Sequence, residues 1–266
     1  MRRVLAILLG LLILVATADA CTIFTKTDGH TVLVGSNEDW YYDAPATVRF
    51  VPGQGKRHGR ICFALYGVVQ SGMNERGLFF DSATCTGSRP PYDPKKPSLA
   101  YELGDSLLAE CASVGEAVAF LSRHNVTGFV RDHFFLADRS GAAAVVEYID
   151  GRMHVIPKKG AYHLVTNFSL VDHRVGNYPC YRYDTARKLL AESKVSVADF
   201  TSILNIVSQW FPGGGTYYST VSDLRKGLVY VYYKRDFGRE VRFRLAEELK
   251  KGERVLDLAE LFEDRK

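Results

Sequence analysis

The residue with the sharpest chemistry in this chain is Cys21, which follows Ala18-Asp19-Ala20 at the end of an apolar leader. Met1-Arg2-Arg3 is a short basic start, and Val4 to Ala16 is an apolar run too short and too poorly flanked for a comfortable membrane span. Ala18-x-Ala20 has the small-residue pattern of a signal peptidase site, so cleavage after Ala20 makes Cys21 the first residue of the mature chain. An N-terminal cysteine carries a thiol nucleophile and a free α-amine on one residue. The ordinary pKa of that amine, about 8, lies close to the thiol's, so the amine can take or relay the thiol proton without a histidine. Three other roles stay open for Cys21: half of a disulfide, a lipid-bearing residue, or an ordinary residue behind a leader kept as an anchor. A lipidation signal has Leu or a similar residue three before the cysteine and a small one two before it, where this chain has Ala18 and Asp19.

Such a nucleophile needs a fold large enough to hold partners around it. The chain has 266 residues, and removing 1–20 leaves 246, read as one domain over 21–266. The formal charge of +4 becomes +3 once Arg2, Arg3 and Asp19 leave with the leader. That mild excess, with no basic run, argues against a nucleic-acid partner. Past the leader no apolar stretch is long enough to span a bilayer. The leader sets the expectation of a secreted or periplasmic protein. In an oxidising compartment Cys62, Cys85, Cys111 and Cys180 could form two disulfides in any of three pairings, or stay as buried thiols. No Cys-x-x-Cys or His-x-x-x-His spacing points to a metal, and none is expected, nor any cofactor.

The positioning elements follow from periodicity. Thr22 to Thr27 and Thr31 to Asn37 read as strands around Asp28-Gly29, a hairpin signal. Val48 to Val51 and Ile61 to Leu65 continue the strands. Val68-Val69 leads into a strand, turn and strand, with Asn74 and Gly77 at the first and fourth turn positions. Arg89 to Pro97 holds four prolines and reads as an irregular loop, the best candidate for a rim or lid. Leu99, Leu103, Leu107 and Cys111 fall on one helical face, and Ser113 to Glu116 is a capping box that opens a second helix. A meander over His133 to Ile156 and a strand from Tyr162 to Thr166 come next. Tyr183 to Glu192 and Val197 to Trp210 read as helices, Gly213-Gly214-Gly215 as a hinge or substrate-side loop, Tyr217 to Val221, Leu228 to Tyr233 and Glu240 to Phe243 as strands and Leu256 to Phe262 as a helix. This order predicts an α+β fold: a four-layer αββα sandwich of two antiparallel sheets with helices outside.

Five stretches together resemble one family: Cys21-Thr22-Ile23-Phe24, Gly35 to Trp40, Gly72 to Leu78, Val165-Thr166-Asn167 and Tyr218 to Val221. In the right order along the mature chain, they resemble the N-terminal-nucleophile cysteine hydrolases of the choloylglycine hydrolase, penicillin V acylase and acid ceramidase-like group. The resemblance implies hydrolysis of linear, non-peptide amide bonds in a small-molecule N-acyl substrate. It implies Cys21 as nucleophile with its own α-amine as base, Asp39 as the carboxylate contacting that residue, and Asn167 as the amide donating to the oxyanion. Thr84 falls where a second oxyanion donor sits, through its backbone N–H, and Asn37 supports the loop before Asp39. The family usually has Arg where this chain has Ser36, and many members have Arg where it has Asp223; Arg60 or Arg182 could supply the missing guanidinium. A dipeptidase on the same scaffold, and a secreted binding protein that has lost catalysis, remain as alternatives. A homo-oligomer is allowed. Asp39 could be a turn residue, Asn167 a strand-end cap, and Asn74 reads as the turn's own residue. His133, His163 and His173 have no local signature that ties them to a cysteine.

Side-chain alternation makes one expectation geometric. A two-residue loop, Asp28-Gly29, sets Thr27 across from His30 and Cys21 across from Ser36, with Asp39 on the opposite face. A three-residue loop, Asp28 to His30, or a bulge of the same effect, sets Cys21 across from Asn37 and puts Asn37 and Asp39 on its face, and this is the register expected. Asp39 is then expected to touch the α-amine or thiol of Cys21.

Overall fold

The computed structural model describes residues 21–263; the leader and the cleavage after Ala20 lie outside the described residues. Runs rich in β-branched and aromatic residues, cut by glycine turns, form β1 (Thr22–Thr27), β2 (Val32–Tyr41), β3 (Ala46–Val51), β4 (Arg60–Leu65), β5 (Val68–Asn74) and β6 (Leu78–Thr84). After a short β7 (Ser98–Leu99) come α1 (Leu103–Glu110) and α2 (Val114–Ser122). A short β8 (Asn125–Val126) leads to β9 (Asp132–Asp138), β10 (Ala143–Ile149), β11 (Arg152–Pro157) and β12 (Tyr162–Val165). The rest is α3 (Tyr181–Glu192), α4 (Val197–Ile206), β13 (Trp210–Phe211), β14 (Gly214–Asp223), β15 (Leu228–Tyr233), β16 (Asp236–Arg244), α5 (Leu245–Leu249) and β17 (Arg254–Asp257).

The first sheet runs β12-β1-β2-β14-β15-β16, with β13 beside β14; the second runs β11-β10-β9-β6-β5-β4-β3-β17. All pairings within these two sheets are antiparallel. The central strands are buried on both faces, so three apolar layers form. Ile23, Val34, Phe79 and Phe135 fill the space between the sheets. Leu103, Leu107 and Phe120 of α1 and α2 cover the second sheet, and Ala186, Phe200 and Leu204 of α3 and α4 cover the first. The result is the αββα sandwich that the element order predicts.

The helix starts follow their caps. Ser113 Oγ accepts from Glu116 N at 3.2 Å, and Ser196 Oγ from Asp199 N at 3.1 Å. Asn74 is structural, as read. Its Oδ1 accepts from Arg76 N and Leu78 N, while its Nδ2 donates to Leu108 O and Cys111 O at 2.7 Å each.

Four expectations need correction. Leu99 pairs with Val126 in β7 and is not on the first helix, which runs from Leu103 to Glu110 with Cys111 as its cap. The Val197 helix ends at Ile206, not Trp210, because Trp210 and Phe211 pair with Gly215 and Gly214. Gly213 to Gly215 is therefore no hinge. A Cβ at Gly214 would lie 2.2 Å from the Phe211 ring, so a glycine is needed for the close approach. The stretch read as a terminal helix over 256–262 is strand β17 on the edge of the second sheet, followed by a 3₁₀ turn, Glu260–Phe262. Among the described residues no helix is long and apolar enough to cross a membrane.

Candidate active site

The register of β1 against β2 decides what surrounds Cys21. Asp28 Oδ1 accepts from His30 N at 2.9 Å and from Thr31 N at 2.7 Å, which draws Thr31 into the loop. Thr27 therefore pairs with Val32 and Thr22 with Asn37. The loop has four residues, not the expected three, and one further step sets Cys21 across from Glu38 rather than Asn37. Its thiol donates to Glu38 Oε1 at 3.3 Å. Asn37 and Asp39 fall on the opposite, helix-side face of β2.

Each of those two has its own partners. Asn37 Nδ2 donates to Leu204 O of α4 at 2.9 Å, and its Oδ1 accepts from Ser219 Oγ at 2.6 Å. These bonds tie β2 to α4 and β14, and Asn37 does not line the cleft beside Cys21. The Asp39 carboxyl accepts from Thr216 Oγ1 and Gln209 Nε2. Burial pushes it up to about 6, against the pull of Arg182 and these two donors. Asp39 meets the Cys21 thiol through its backbone N–H, not its carboxylate. The expected contact of the Asp39 carboxylate with a free α-amine depends on cleavage after Ala20 and lies outside the described residues.

Asn167 arrives two residues beyond β12, the strand on the other side of β1. Its Nδ2 donates to Thr84 O, at the end of β6 in the second sheet, at 3.0 Å. Arg182, on α3, joins these parts. One guanidinium nitrogen donates to Cys21 O at 2.6 Å and Thr22 Oγ1 at 2.8 Å, and the other to Asn167 Oδ1 at 2.9 Å. Of the two candidates for the missing guanidinium, Arg182 is the one at the site. Arg60 is held by Asp105 of α1 through two 2.8 Å bonds. Ser36 donates to Asp81 Oδ2 of β6 at 2.6 Å, and Asp223 caps a turn by accepting from Arg225 N and Lys226 N.

Cys21, Glu38, Asp39 and Thr84 line one cleft of about 280 Å³, whose apolar walls include Leu65 and Phe129. No residue of the Arg89 to Pro97 loop lines it; Pro91 to Asp93 and Lys96 border a different hollow, beside α2. The rim is instead Tyr66 and Tyr101, both largely exposed. The thiol is buried, and burial is the main reason its proton is held well above the ordinary range, with the acids Glu38, Asp39 and Asp81 beside it raising it further. It is not ionised in advance, so any reaction at the sulfur needs a proton acceptor.

All five cysteines are unpaired and buried thiols. His133 meets Cys85 and Glu147, and bonds Thr166 O at 2.6 Å. Burial alone would lower its pKa; Cys85 and Glu147 outweigh that and raise it to about 10. It lies behind the site as a link to the strand end that carries Asn167. His163 bonds Ile156 O at 3.0 Å, and His173 stacks on Tyr178.

Against known families, the model of the linear amide C-N hydrolases, choloylglycine hydrolase family, matches residues 21–213. The chain belongs to this family. The choloylglycine hydrolase match opens on Cys21 itself and takes in Asp39, Thr84, Asn167 and Arg182. A penicillin V acylase of Pectobacterium atrosepticum is 28% identical over 197 residues, 60% of this chain and 52% of that protein. The chain thus spans about half the length of that curated relative. Among solved structures, a penicillin V acylase from Agrobacterium tumefaciens superposes with a TM-score of 0.65 at 22% identity, over 80% of this chain and 83% of that one. A mutant conjugated bile acid hydrolase from Clostridium perfringens gives 0.69 at 15% identity, over 90% and 96%. These likenesses show the fold: the sandwich of N-terminal-nucleophile hydrolases.

Sequence reasoning missed Glu38, Asp81 and the rim tyrosines. The signal for Glu38 was available in Asp28, whose side chain caps two amides of the loop and so lengthens it by one residue.

Proposed function

We propose that the mature chain is an exported acylase that cleaves linear N-acyl amides through a thioester on Cys21. In this reading the α-amine freed by cleavage after Ala20 takes the thiol proton while sulfur bonds to the amide carbon. The C–N bond then breaks, and the same proton passes to the leaving nitrogen. Water attacks the thioester and gives one proton to the α-amine, which returns it to the sulfur as the carboxylic acid departs. Asp39 serves as the charge partner of the α-ammonium. Asn167 Nδ2 has two hydrogens, one of them on Thr84 O, and the second serves the oxyanion together with the Thr84 backbone N–H. The scheme calls on no metal or cofactor.

The observation that carries this reading is that one guanidinium, Arg182, holds both Cys21 O and Asn167 Oδ1 beside the cleft. Nucleophile and oxyanion donor thus have a fixed relation to each other. The apolar walls at Leu65, Val68 and Phe129 suit an apolar acyl group. Penicillin V and a conjugated bile acid, the amides named in the relatives, are the first substrates to offer. Purified wild-type protein is expected to release the amine from at least one of them. Cys21→Ala is expected to release none while keeping its thermal unfolding midpoint. Normal turnover by the alanine variant rules Cys21 out as nucleophile.

A further inference from the structure

The side of the Cys21 thiol that faces between the two sheets is lined by acids. Glu38 is 3% exposed. Its Oε1 receives the thiol, and among the described residues its Oε2 has no hydrogen-bond partner. Asp81 reaches toward it from β6 in the second sheet and is fully buried, with Ser36 donating to one oxygen. The groups that act on Glu38 from the elements around it are Asp81 of β6, Cys21 of β1, Asp39 of its own strand and Asp132 of β9. Tyr218 of β14 lies directly across from it. The charged groups in this set are all acids. Two guanidiniums lie near the site: Arg131 borders the same cleft and donates to Thr86 Oγ1 at 3.4 Å, and Arg182 is engaged with Cys21 O, Thr22 and Asn167.

A buried carboxylate with an oxygen that lacks a donor is costly, and two such groups facing one another cannot both be charged. A protonated carboxyl removes both costs and turns Glu38 from an acceptor into a donor. We propose that Glu38 is a further catalytic residue: as a neutral carboxylic acid it donates its own hydrogen to the Cys21 sulfur and so stabilises the thiolate in attack and departure. This rests on Cys21 being the nucleophile. Glu38 keeps its proton throughout, while the thiol's proton travels by the α-amine. Burial first and the Asp81 charge second hold Glu38 well above the usual carboxylate range; burial raises Asp81 to about 8, less the pull of Ser36.

The test reads the thiol, not turnover. The exported protein, Glu38→Gln and Glu38→Met are treated with iodoacetamide from pH 5 to 10, and alkylation of the Cys21 peptide is followed by mass spectrometry. Gln keeps a neutral donor at the same reach; Met keeps the volume without one. A hydrogen bond to a charged group is worth about 1.5–3 kcal/mol, so Glu38→Met is expected to slow labelling at neutral pH by about 10–100-fold and to move its rate profile to higher pH. Glu38→Gln is expected to recover most of that loss. Faster labelling in both variants overturns the proposal, because it means that Glu38 is an anion opposing the thiolate. Equal loss in both, or no change in either, overturns it as well. Persistence of amide hydrolysis in Cys21→Ala, or no labelling of wild-type Cys21 at any pH, would instead sink the underlying reading of the nucleophile. Thermal unfolding of each variant confirms that it is folded.

Discussion

Arg182 spans three acceptors on two strands with one planar group, and that geometry cannot be copied by a point charge. Arg182→Lys is expected to lower kcat by about 10–100-fold, the scale of one lost charge-assisted hydrogen bond, with little change in KM. Steady-state kinetics on the best amide checks this, and an unchanged kcat would leave Arg182 a purely structural tie. In the proposed mechanism Asn167 donates to the oxyanion, so Asn167→Ala is expected to lower kcat by roughly 10²–10³, again at nearly constant KM. A large rise in KM with kcat intact would assign Asn167 to substrate binding. At this scale the sequence was partly legible. Cys21 and Asn167 stand out because their chemistry depends on residue type and motif. Glu38 does not, because its role depends on which face of β2 it occupies, and that is set by how Asp28 caps the loop. Arg182 could only be offered beside Arg60. The choice is made by α3 lying over β1 and β12, and by Asp105 claiming Arg60.

Strand β2 carries the motif residues between β1 and β14, and Gly35 lets the helix layer close on it. A Cβ there would lie 2.7 Å from the Phe24 ring and 3.3 Å from Phe200 of α4. Gly35→Ala is expected to destabilise the fold by about 1–3 kcal/mol, the usual cost of overpacking. That corresponds to several degrees in the unfolding midpoint for a chain of this size, and calorimetry reads it; no shift would mean that α4 yields freely. The strands and caps of this region were legible because alternation and Ser caps are local signals. The end of α4 and the last strand were not. Trp210 and Phe211 leave the helix to pair with β14, and Gln209 turns to Thr216 and Asp39. Residues 254–257 take strand form because β3 offers a free edge. Those are tertiary choices, which override local propensity.

The whole molecule buries several acids, Asp81 between its sheets and Asp39 under its helix layer, and this links stability to pH. Burial raises Asp39 to about 6 and Asp81 to about 8, from an ordinary value of 3.8 in the unfolded chain. The native state therefore binds these protons more tightly than the unfolded state. The resulting stability is complete below about pH 4 and is lost as pH rises through each native value. The unfolding midpoint is expected to fall between pH 4 and pH 8. Asp81→Asn, which cannot ionise and still accepts from Ser36, should flatten that slope; an equally steep slope in the variant would place the linkage elsewhere. The central claim also belongs to the whole molecule, because it concerns which atom begins the mature chain. Intact-mass and peptide mass spectrometry of the protein expressed with its leader and purified, after brief incubation with the best amide substrate and acid quench, tests it in one measurement. The account predicts a chain that begins at Cys21 and carries the acyl group of the substrate on that residue. A mature chain that begins elsewhere, or a lipid on Cys21, or an acyl group trapped on another residue, would contradict it.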